Sequence, residues 1–150
     1  MATIKPTPLY PKYTELLEHQ EIDYPELTDF LDSSDQAWRK TEWSWGKTFL
    51  AYTGRNKSAH TYDRFRNEIE KFFLWAFLIR KESITEFRKT DILAYADFCW
   101  SPPVEWIGLS NQEHFKLSIG YFVANPSWYP FKLQNSKSQH NKDPDKKKYR

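Results

Sequence analysis

The 150-residue sequence has one cysteine, four glycines and no long apolar run. Cys99 alone cannot form an intramolecular disulfide, and its apolar helical surroundings predict a buried, unreactive thiol. No apolar run approaches the roughly 20 residues needed to cross a bilayer, and prolines stand near the first residue where a secretory signal would be apolar. We therefore expect a cytoplasmic protein with no membrane partner.

Scarce glycines and scattered histidines argue against two kinds of cofactor site. Gly46 precedes Lys47 and Thr48, but position 41, where the loop that binds nucleotide phosphates needs its first glycine, is a threonine, so the motif is incomplete. One cysteine and four dispersed histidines lack the spacing of metal ligands. Acidic pairs such as Glu68 and Glu70 lie on a predicted helix surface, where solvation explains them better than acid–base catalysis. We expect no cofactor and no metal.

Charge is plentiful but unevenly distributed. Residues 1–35 carry two lysines against eight acidic residues, whereas residues 36–90 carry twelve Lys or Arg against six acidic residues. Residues 91–135 have a net charge of −2 and residues 136–150 of +4. A basic central block is typical of proteins that bind a polyanion. A solvated helical surface is the alternative, and for any single charge it is the better explanation.

The first predicted helix begins at a capping box and ends at a glycine. Ser33 and Gln36 form the box, in which each side chain satisfies a free backbone amide. Gly54 adopts the left-handed conformation most cheaply, so we expect the helix to span 35–53 and to stop there. Gly46, inside this helix, indicates a close helix approach. The expected core stripe comprises Trp38, Trp45, Phe49 and Tyr52.

The second predicted helix, which runs to Arg80, organises the rest of the chain. Ser58 is a good N-cap, because its hydroxyl can accept a hydrogen bond from a free amide in the first turn. Residues at steps of three and four define a core side: Tyr62, Phe65, Ile69, Phe72, Phe73, Ala76 and Ile79. The opposite side carries His60, Arg64, Asn67 and Lys71. The first half of this helix is thus two-faced, and its second half is buried nearly all round.

A third helix is predicted to begin after Thr90, its N-cap, and to end before Pro102 and Pro103. Asp91 in the first turn complements the helix dipole. The expected buried face comprises Ile92, Tyr95, Ala96 and Cys99. Together the three helices predict an all-α domain.

The chain divides into an acidic arm (1–32), a helical domain (33–133) and a basic tail (134–150). Apolar clusters of the arm could dock on the domain or on a neighbouring subunit, and disorder of the isolated arm is the simplest expectation. Weak periodicity over 104–135 predicts an irregular, partly packed excursion with a short helix near 112–117. The polar, lysine-rich tail has no apolar stripe, as in a linker.

Three stretches resemble the N-terminal core-binding domain of tyrosine recombinases, the phage-integrase family: TFLAYTG, NKSAHTYDRFRNEIEKFFLWAF and ITEFRKTDILAYADFC. The segments PPVEWIG and NPSWYPF look like an insertion found in one integrase subgroup. The resemblance implies a small orthogonal helical bundle with the SAM-like fold. It further implies binding of double-stranded DNA at a recombination site, self-association of protomers on that DNA, and a role in DNA integration by a mobile element near the prokaryotic nucleoid.

Two departures from the family pattern limit what the resemblance implies. The family's domain usually has four or more helices, and no apolar stripe for a fourth lies between Lys132 and Arg150. The family's catalytic pattern is also missing, since none of the four histidines has an arginine three positions later and Tyr149 lacks activating neighbours. We expect a non-enzymatic N-terminal piece of a larger recombinase, cut before or within the last core-binding helix.

The candidate DNA contacts lie in the loop and outer face of the second helix and at the start of the third. They are Arg55, Asn56, Lys57, Ser58, His60, Thr61, Arg64, Asn67, Lys71, Arg88, Lys89 and Thr90. Lysines and Arg64 would neutralise phosphates, whereas arginine and asparagine suit bidentate contacts with base edges. Free amides at the third helix start would add a phosphate contact.

A helical protein-interaction module is the second hypothesis. Its contact surfaces would be the acidic arm and the aromatic segment 104–131. Salt distinguishes the two hypotheses, because duplex binding through cations weakens steeply with ionic strength and aromatic docking does not.

Overall fold

The computed structural model describes residues 5–18, 23–32, 35–134 and 148–149, and these are mostly helical, as predicted. The helices are α1 (Tyr13–Glu18), α2 (Pro25–Asp32), α3 (Trp38–Asn56), α4 (Ala59–Leu74) and α5 (Lys89–Trp100). A π-helical segment, Trp75–Arg80, continues α4, and short 3-10 turns span Ile84–Glu86 and Val104–Trp106. The strands are β1 (Ile107–Gly108), β2 (Phe115–Leu117), β3 (Phe122–Ala124), β4 (Phe131–Gln134) and β5 (Lys148–Tyr149). The all-α prediction is therefore correct for most of the described residues, but it missed the short strands.

Helix α3 is shifted relative to its prediction at both ends. Ser33 lies outside the described residues, and the helix begins at Trp38 after Ala37, which makes no side-chain capping bond. At the other end Gly54 does not stop the helix, which continues to Asn56. A Cβ at Gly54 would lie 2.1 Å from Cδ1 of Tyr13, so this glycine admits the ring from α1 instead of ending the helix.

The predicted N-cap of α4 is confirmed. Ser58 has extended backbone angles, and its Oγ accepts a hydrogen bond from the Thr61 amide at 3.1 Å. Only Lys57 separates the end of α3 from this cap, so the two helices form a tight pair.

The predicted core stripe of α3 is mostly wrong. Trp45, Phe49 and Tyr52 are 50%, 43% and 55% exposed, although Trp38 packs against the core. The buried positions are Arg39, Glu42, Trp43, Gly46, Leu50 and Thr53, which also recur at helical spacing. On α4 the same shift exposes Phe65 and buries Glu70 and Lys71. Ile79, in the π-helical segment, is also exposed.

The N-terminal segment explains this choice of face. It is not an arm outside the core, because Leu9 and Tyr10 are fully buried between α3 and α4. The indole Nε1 of Trp43 donates to the Leu9 carbonyl at 2.8 Å, and the Tyr10 hydroxyl donates to the Trp43 carbonyl at 2.8 Å. The Tyr62 hydroxyl donates to the carbonyl of Pro11 at 2.7 Å. Of the two alternatives, docking on its own domain or on a neighbouring subunit, the segment thus docks on its own domain.

Helix α5 begins two residues earlier than expected, at Lys89 instead of Asp91, with Arg88 and not Thr90 at the N-cap. The Arg88 amide donates to Oδ2 of Asp91 at 2.8 Å, and Nε of Arg80 donates to Oδ1 at 2.7 Å. Of the predicted buried face, Ile92 and Ala96 are exposed, while Tyr95 packs edge-on against Phe72 at 5.0 Å between ring centroids. Asp91 is the buried residue of this helix, because its carboxylate joins α5 to the end of the π-helical segment.

The segment after α5 contains strands where a short helix was predicted. β2 and β3 form an antiparallel hairpin that pairs Phe115 with Ala124, and β1 runs parallel to β4. Its large aromatic residues, Trp106, Phe115, Phe122, Trp128 and Phe131, are buried in the core. Tyr24 anchors the hairpin, with its ring 5.0 Å from that of Phe115 and 4.8 Å from that of Phe122. The predicted excursion is therefore an integral part of the core.

The predicted tail lies mostly outside the described residues. In its described part, β5 pairs antiparallel with β4, with Leu133 opposite Tyr149.

Replacing Gly46 by alanine tests the packing of the N-terminal segment. The new Cβ would lie 2.2 Å from Oη of Tyr10 and 2.8 Å from Cε2 of Phe73, and Tyr10 is fully buried and hydrogen-bonded. Alanine gains about 1 kcal/mol of helix propensity, but overpacking costs about 1–3 kcal/mol, so we expect net destabilisation in urea unfolding. Gly54→Ala is the matched control and should cost less, since the half-buried ring of Tyr13 can turn away. A more stable Gly46→Ala variant would contradict this packing.

Replacing Asp91 by alanine tests the α5 start. Hydrogen bonds from the Arg88 amide and from Arg80 lower the pKa of Asp91 below the ordinary 3.8. A lowered carboxyl pKa stabilises the folded state above the ordinary value, and that contribution is lost as pH falls through the folded-state pKa. Asp91→Ala should therefore lower the melting temperature at pH 7, and the gap to the parent should close below about pH 4. A gap that stays constant with pH would show that the carboxylate charge is irrelevant.

Candidate nucleic-acid interface

The junction between α3 and α4 is an exposed surface rich in hydrogen-bond donors. Arg55, Asn56, Lys57 and His60 are all exposed there. No acidic residue occurs in the sequence between Glu42, which is buried, and Asp63. The structure therefore brings the first group of predicted contacts together on one surface, and the chain between Glu42 and Asp63 adds no acidic side chain to that surface.

Three of the predicted contacts in this junction, Asn56, Ser58 and Thr61, serve the fold. The hydroxyls of Ser58 and Thr61 lie 3.0 Å apart, and Ser58 also caps α4. The amide nitrogen of Asn56 donates to the Tyr52 carbonyl at 2.9 Å, and the Arg55 guanidinium lies 6.0 Å from the centroid of the Tyr52 ring. Arg55, Lys57 and His60 are thus the side chains most available to a ligand.

The outer face of α4 is only partly as predicted. Arg64 and Asn67 are exposed, but Lys71 is only 6% exposed. Its ammonium lies 3.3 Å from a carboxylate oxygen of Glu68 and 5.1 Å from the centroid of the Phe131 ring. The chain around Phe131 folds back over this end of α4, so Lys71 is not the outward-facing cation that was expected.

A groove of about 800 Å³ runs between α4 and the segment 111–132. Its lining includes the predicted His60, Arg64, Asn67 and Lys71, and adds Asp63, Arg66, Glu68, Asn111, Gln112, His114, Trp128, Tyr129, Pro130 and Lys132. Sequence reasoning missed Arg66, His114 and Lys132 as site residues. His114 and Lys132 lie in the stretch of weak periodicity. Lys132 is a single cation between Phe131 and Leu133, but His114 follows three polar residues, so only Lys132 could have been marked by its neighbours in the sequence.

A buried carboxylate holds the inner wall of this groove. Glu70 is fully buried, and its Oε2 accepts the amides of Leu9 at 2.8 Å and Tyr10 at 3.1 Å. Nδ1 of His114 lies 3.0 Å from Oε2 and 2.9 Å from Oε1. Because the carboxylate is an acceptor, Nδ1 carries the proton, and Nε2 is the nitrogen left for other partners.

Lys132 lies on the opposite wall. Its ammonium donates to the Tyr129 carbonyl and lies 5.8 Å from the centroid of the Trp128 ring. Burial is the main cause that lowers the pKa of Lys132 to about 8; Glu70 opposes this shift, and Lys71 adds to it. The groove thus contains a cation that is poorly compensated by the protein.

The second predicted group, Arg88, Lys89 and Thr90, is exposed but lies apart from the first. It adjoins Arg80, which is twenty residues and so roughly 30 Å along the helix from His60. The Arg88 amide is already bound by the carboxylate of Asp91, which offers no site to a phosphate. The structure therefore does not join the two groups into one surface.

No protein-family model matches the chain, and neither a curated protein nor a solved structure matches it. The resemblance to tyrosine recombinases thus stays a prediction from its motifs.

Across 5–18, 23–32 and 35–134, no group of three His, Cys, Asp or Glu side chains could hold a metal ion. In the same part of the chain, no helix combines the length and apolar character needed to cross a membrane.

Replacing Lys132 by methionine tests the electrostatics of the groove. With a folded-state pKa near 8 against an ordinary 10.5, the unfolded chain binds more protons at this lysine between those values. The charged lysine therefore disfavours folding below pH 8, and this cost fades as pH rises toward 10.5. We expect Lys132→Met to be more stable than the parent at pH 7, with a smaller advantage at pH 10 in urea unfolding.

Lys116→Met is the matched control, because Lys116 is an exposed strand lysine outside the groove. The difference in stability between this variant and the parent should be the same at pH 7 and at pH 10. The same pH-independence in Lys132→Met would refute the lowered pKa.

Proposed function

We propose that this chain binds double-stranded DNA as the N-terminal core-binding domain of a tyrosine recombinase. One observation carries the proposal: the exposed surface at the α3–α4 junction gathers Arg55, Lys57 and His60 next to Arg64 and Asn67 on the first turns of α4. The recombinase motifs fall in the same stretch of sequence. Asp63 and Glu68 are also exposed on α4, but the three cations Arg55, Lys57 and Arg64 outnumber them, and an excess of cations on a helix that starts at the surface suits a polyanion.

Each side chain has a distinct role in this proposal. Arg55 and Lys57 neutralise phosphates along the backbone, which fixes the position of the domain. Arg64 and Asn67 lie on the exposed face of α4, which has the dimensions to enter a major groove, and both side chains can make bidentate contacts with base edges. Ser58 acts indirectly, because its cap fixes the direction in which α4 begins.

In this proposal the chain binds DNA without cleaving it. Its sequence lacks the family's catalytic arginine, lysine and His-x-x-Arg pattern, so strand cleavage in this proposal belongs to a catalytic domain of the parent recombinase. Recruitment of other protomers on the same DNA belongs to the parent as well.

A protein-interaction module is the alternative, and one observation favours it. Trp45, Phe49 and Tyr52 form an exposed aromatic stripe on α3, and the Phe49 ring lies 5.5 Å edge-on from that of Phe65 on α4. Monomeric proteins seldom expose a contiguous apolar patch of this kind without a partner. The contact surfaces first expected for this function are less suitable, because the N-terminal segment and the rings of 104–131 are largely buried.

The double variant Arg55→Ala, Arg64→Ala tests the proposal. Both side chains are exposed, so the free energy of unfolding should change by about 0.5 kcal/mol or less per site. Affinity for duplex DNA should fall, and the slope of log affinity against log salt should become shallower by about 0.9 per lost phosphate contact. Fluorescence anisotropy over a salt series measures both quantities.

The control is Lys40→Ala, Lys116→Ala, which removes the same charge from exposed sites. Lys40 lies in the first turn of α3, fifteen residues before Arg55, and Lys116 lies in β2. This control should keep the salt slope of the parent. If both double variants bind with equal affinity and slope, the junction is not the DNA surface, and the interaction module becomes the better proposal.

A further inference from the structure

The inner end of the groove between α4 and 111–132 holds three cationic or protonatable side chains that DNA binding at the α3–α4 junction does not use. Lys71 is 6% exposed and His114 is 7% exposed, yet both line the groove together with Lys132. Burying such groups is costly unless an anion accompanies them. What neutralises them is therefore a question about function as well as stability.

The nearby carboxylates are already engaged with donors other than Lys132. Glu70 already accepts two backbone amides and faces Nδ1 of His114, so its charge is shared among three donors. Glu68 pairs with Lys71 at 3.3 Å, and Asp63 pairs with Arg66 at 3.3 Å. Lys132 has a neutral carbonyl as its hydrogen-bond partner.

Arg66 adds one unsatisfied donor atom, although its guanidinium is paired with Asp63. Its side chain lines the groove, and within the described part of the chain its buried Nε has no hydrogen-bond partner. Over the whole lining, four Lys or Arg side chains face two Asp or Glu side chains. The excess of positive charge at neutral pH is thus built into the groove walls.

We propose that the inner end of this groove binds one phosphate group through Lys71, Lys132 and His114. Ammonium groups and an imidazole N–H are charge-assisted or strong donors to phosphate oxygens. With Nδ1 held by Glu70, Nε2 of His114 can meet a phosphate as a donor when the ring is protonated. Fixed in this way, the ring needs no reorganisation when the anion arrives.

The rest of the groove indicates the size and chemistry of the molecule that carries the phosphate. A volume of about 800 Å³ is within the range of small-molecule sites and exceeds what one phosphate fills. Aromatic rings of Trp128 and Tyr129 and the amides of Asn67, Asn111 and Gln112 also line it. Aromatic faces and amides suit a base, so the ligand class is a nucleotide, either free or within a nucleic-acid strand.

A titration with inorganic phosphate, and then with a 5′-mononucleotide, tests the site on the full chain. Side-chain NMR signals of His114 and Lys132 report binding directly. We expect saturable shifts of both signals, tighter binding of the mononucleotide than of phosphate, and no saturation with the nucleoside that lacks the phosphate. Absence of saturable shifts with phosphate and mononucleotide alike would overturn the proposal.

Variants separate this site from general charge effects. Lys132→Met removes one cation and keeps the side-chain stem, and it should weaken mononucleotide binding about tenfold, the loss expected for one charge-assisted hydrogen bond. Lys116→Met should bind as the parent does. Equal affinity of Lys132→Met and the parent would also overturn the proposal.

The protonation of Lys132 gives an independent readout. The charged groups that act on it are Glu70 and Lys71 on α4. The other titratable groups that line the groove are His60, Asp63, Arg64, Arg66 and Glu68 on α4, and His114 and Tyr129 on the segment 111–132 that also carries Lys132. A bound phosphate adds negative charge beside the ammonium, so the NMR pKa of Lys132 should rise from about 8 when phosphate saturates the site. An unchanged value at saturation would place the anion elsewhere.

The site deepens the DNA proposal but can fail separately from it. Saturable mononucleotide binding together with a duplex affinity that Arg55→Ala, Arg64→Ala does not change would support the groove and refute the junction. The reverse pattern, a shallower salt slope with no signal shift at His114, would support the junction and refute the groove. Short single strands and duplexes added to the same NMR sample show which source of nucleotide the groove takes.

Discussion

The fold depends on one buried carboxylate, that of Glu70 near the C-terminal end of α4. Its Oε2 binds the amides of Leu9 and Tyr10, and the same carboxyl faces Nδ1 of His114. Three parts of the chain that are distant in sequence therefore converge on one side chain. A carboxylate removed from water is tolerable only when donors surround it, so each of these segments is held in place by the need to satisfy Glu70.

Local signals could be predicted from the sequence, because they need only neighbouring residues. The Ser58 cap, the short link between α3 and α4 and the mostly helical content belong to this group. The choice of buried faces could not be predicted in the same way. Two stripes of α3 have helical spacing, and the buried one contains Glu42, Gly46 and Thr53 instead of the aromatic residues. Hydrogen bonds from Ser83 and Ile84 to Glu42, and from Trp43 to Leu9, decide between them, and such long-range partners leave no periodic trace.

The two candidate sites also differ in how far they could be predicted from the sequence. Arg55, Lys57 and Arg64 lie within ten residues of one another and were found from composition and helix position alone. The inner groove joins α4 to residues more than forty positions later, which come from a segment without clear periodicity. Lys71 illustrates the difference, since its helix position predicted exposure and the strand after Trp128 covers it. A basic residue on a polar helix face is thus a reliable candidate only where nothing distant packs against it.

The aromatic stripe and the basic junction are not independent surfaces. Arg55 lies at the end of the stripe, and its guanidinium is 6.0 Å from the centroid of the Tyr52 ring. Phe65 directly follows Arg64 in the sequence. A protein that covered the stripe would fix the Tyr52 ring and thereby the position of the Arg55 guanidinium, which is a proposed contact with DNA phosphates. DNA at the junction would in turn orient the stripe toward a neighbour on the same duplex. Because the two surfaces share Arg55, occupation of one changes the cost of ordering the other, and binding of partner and DNA would be coupled.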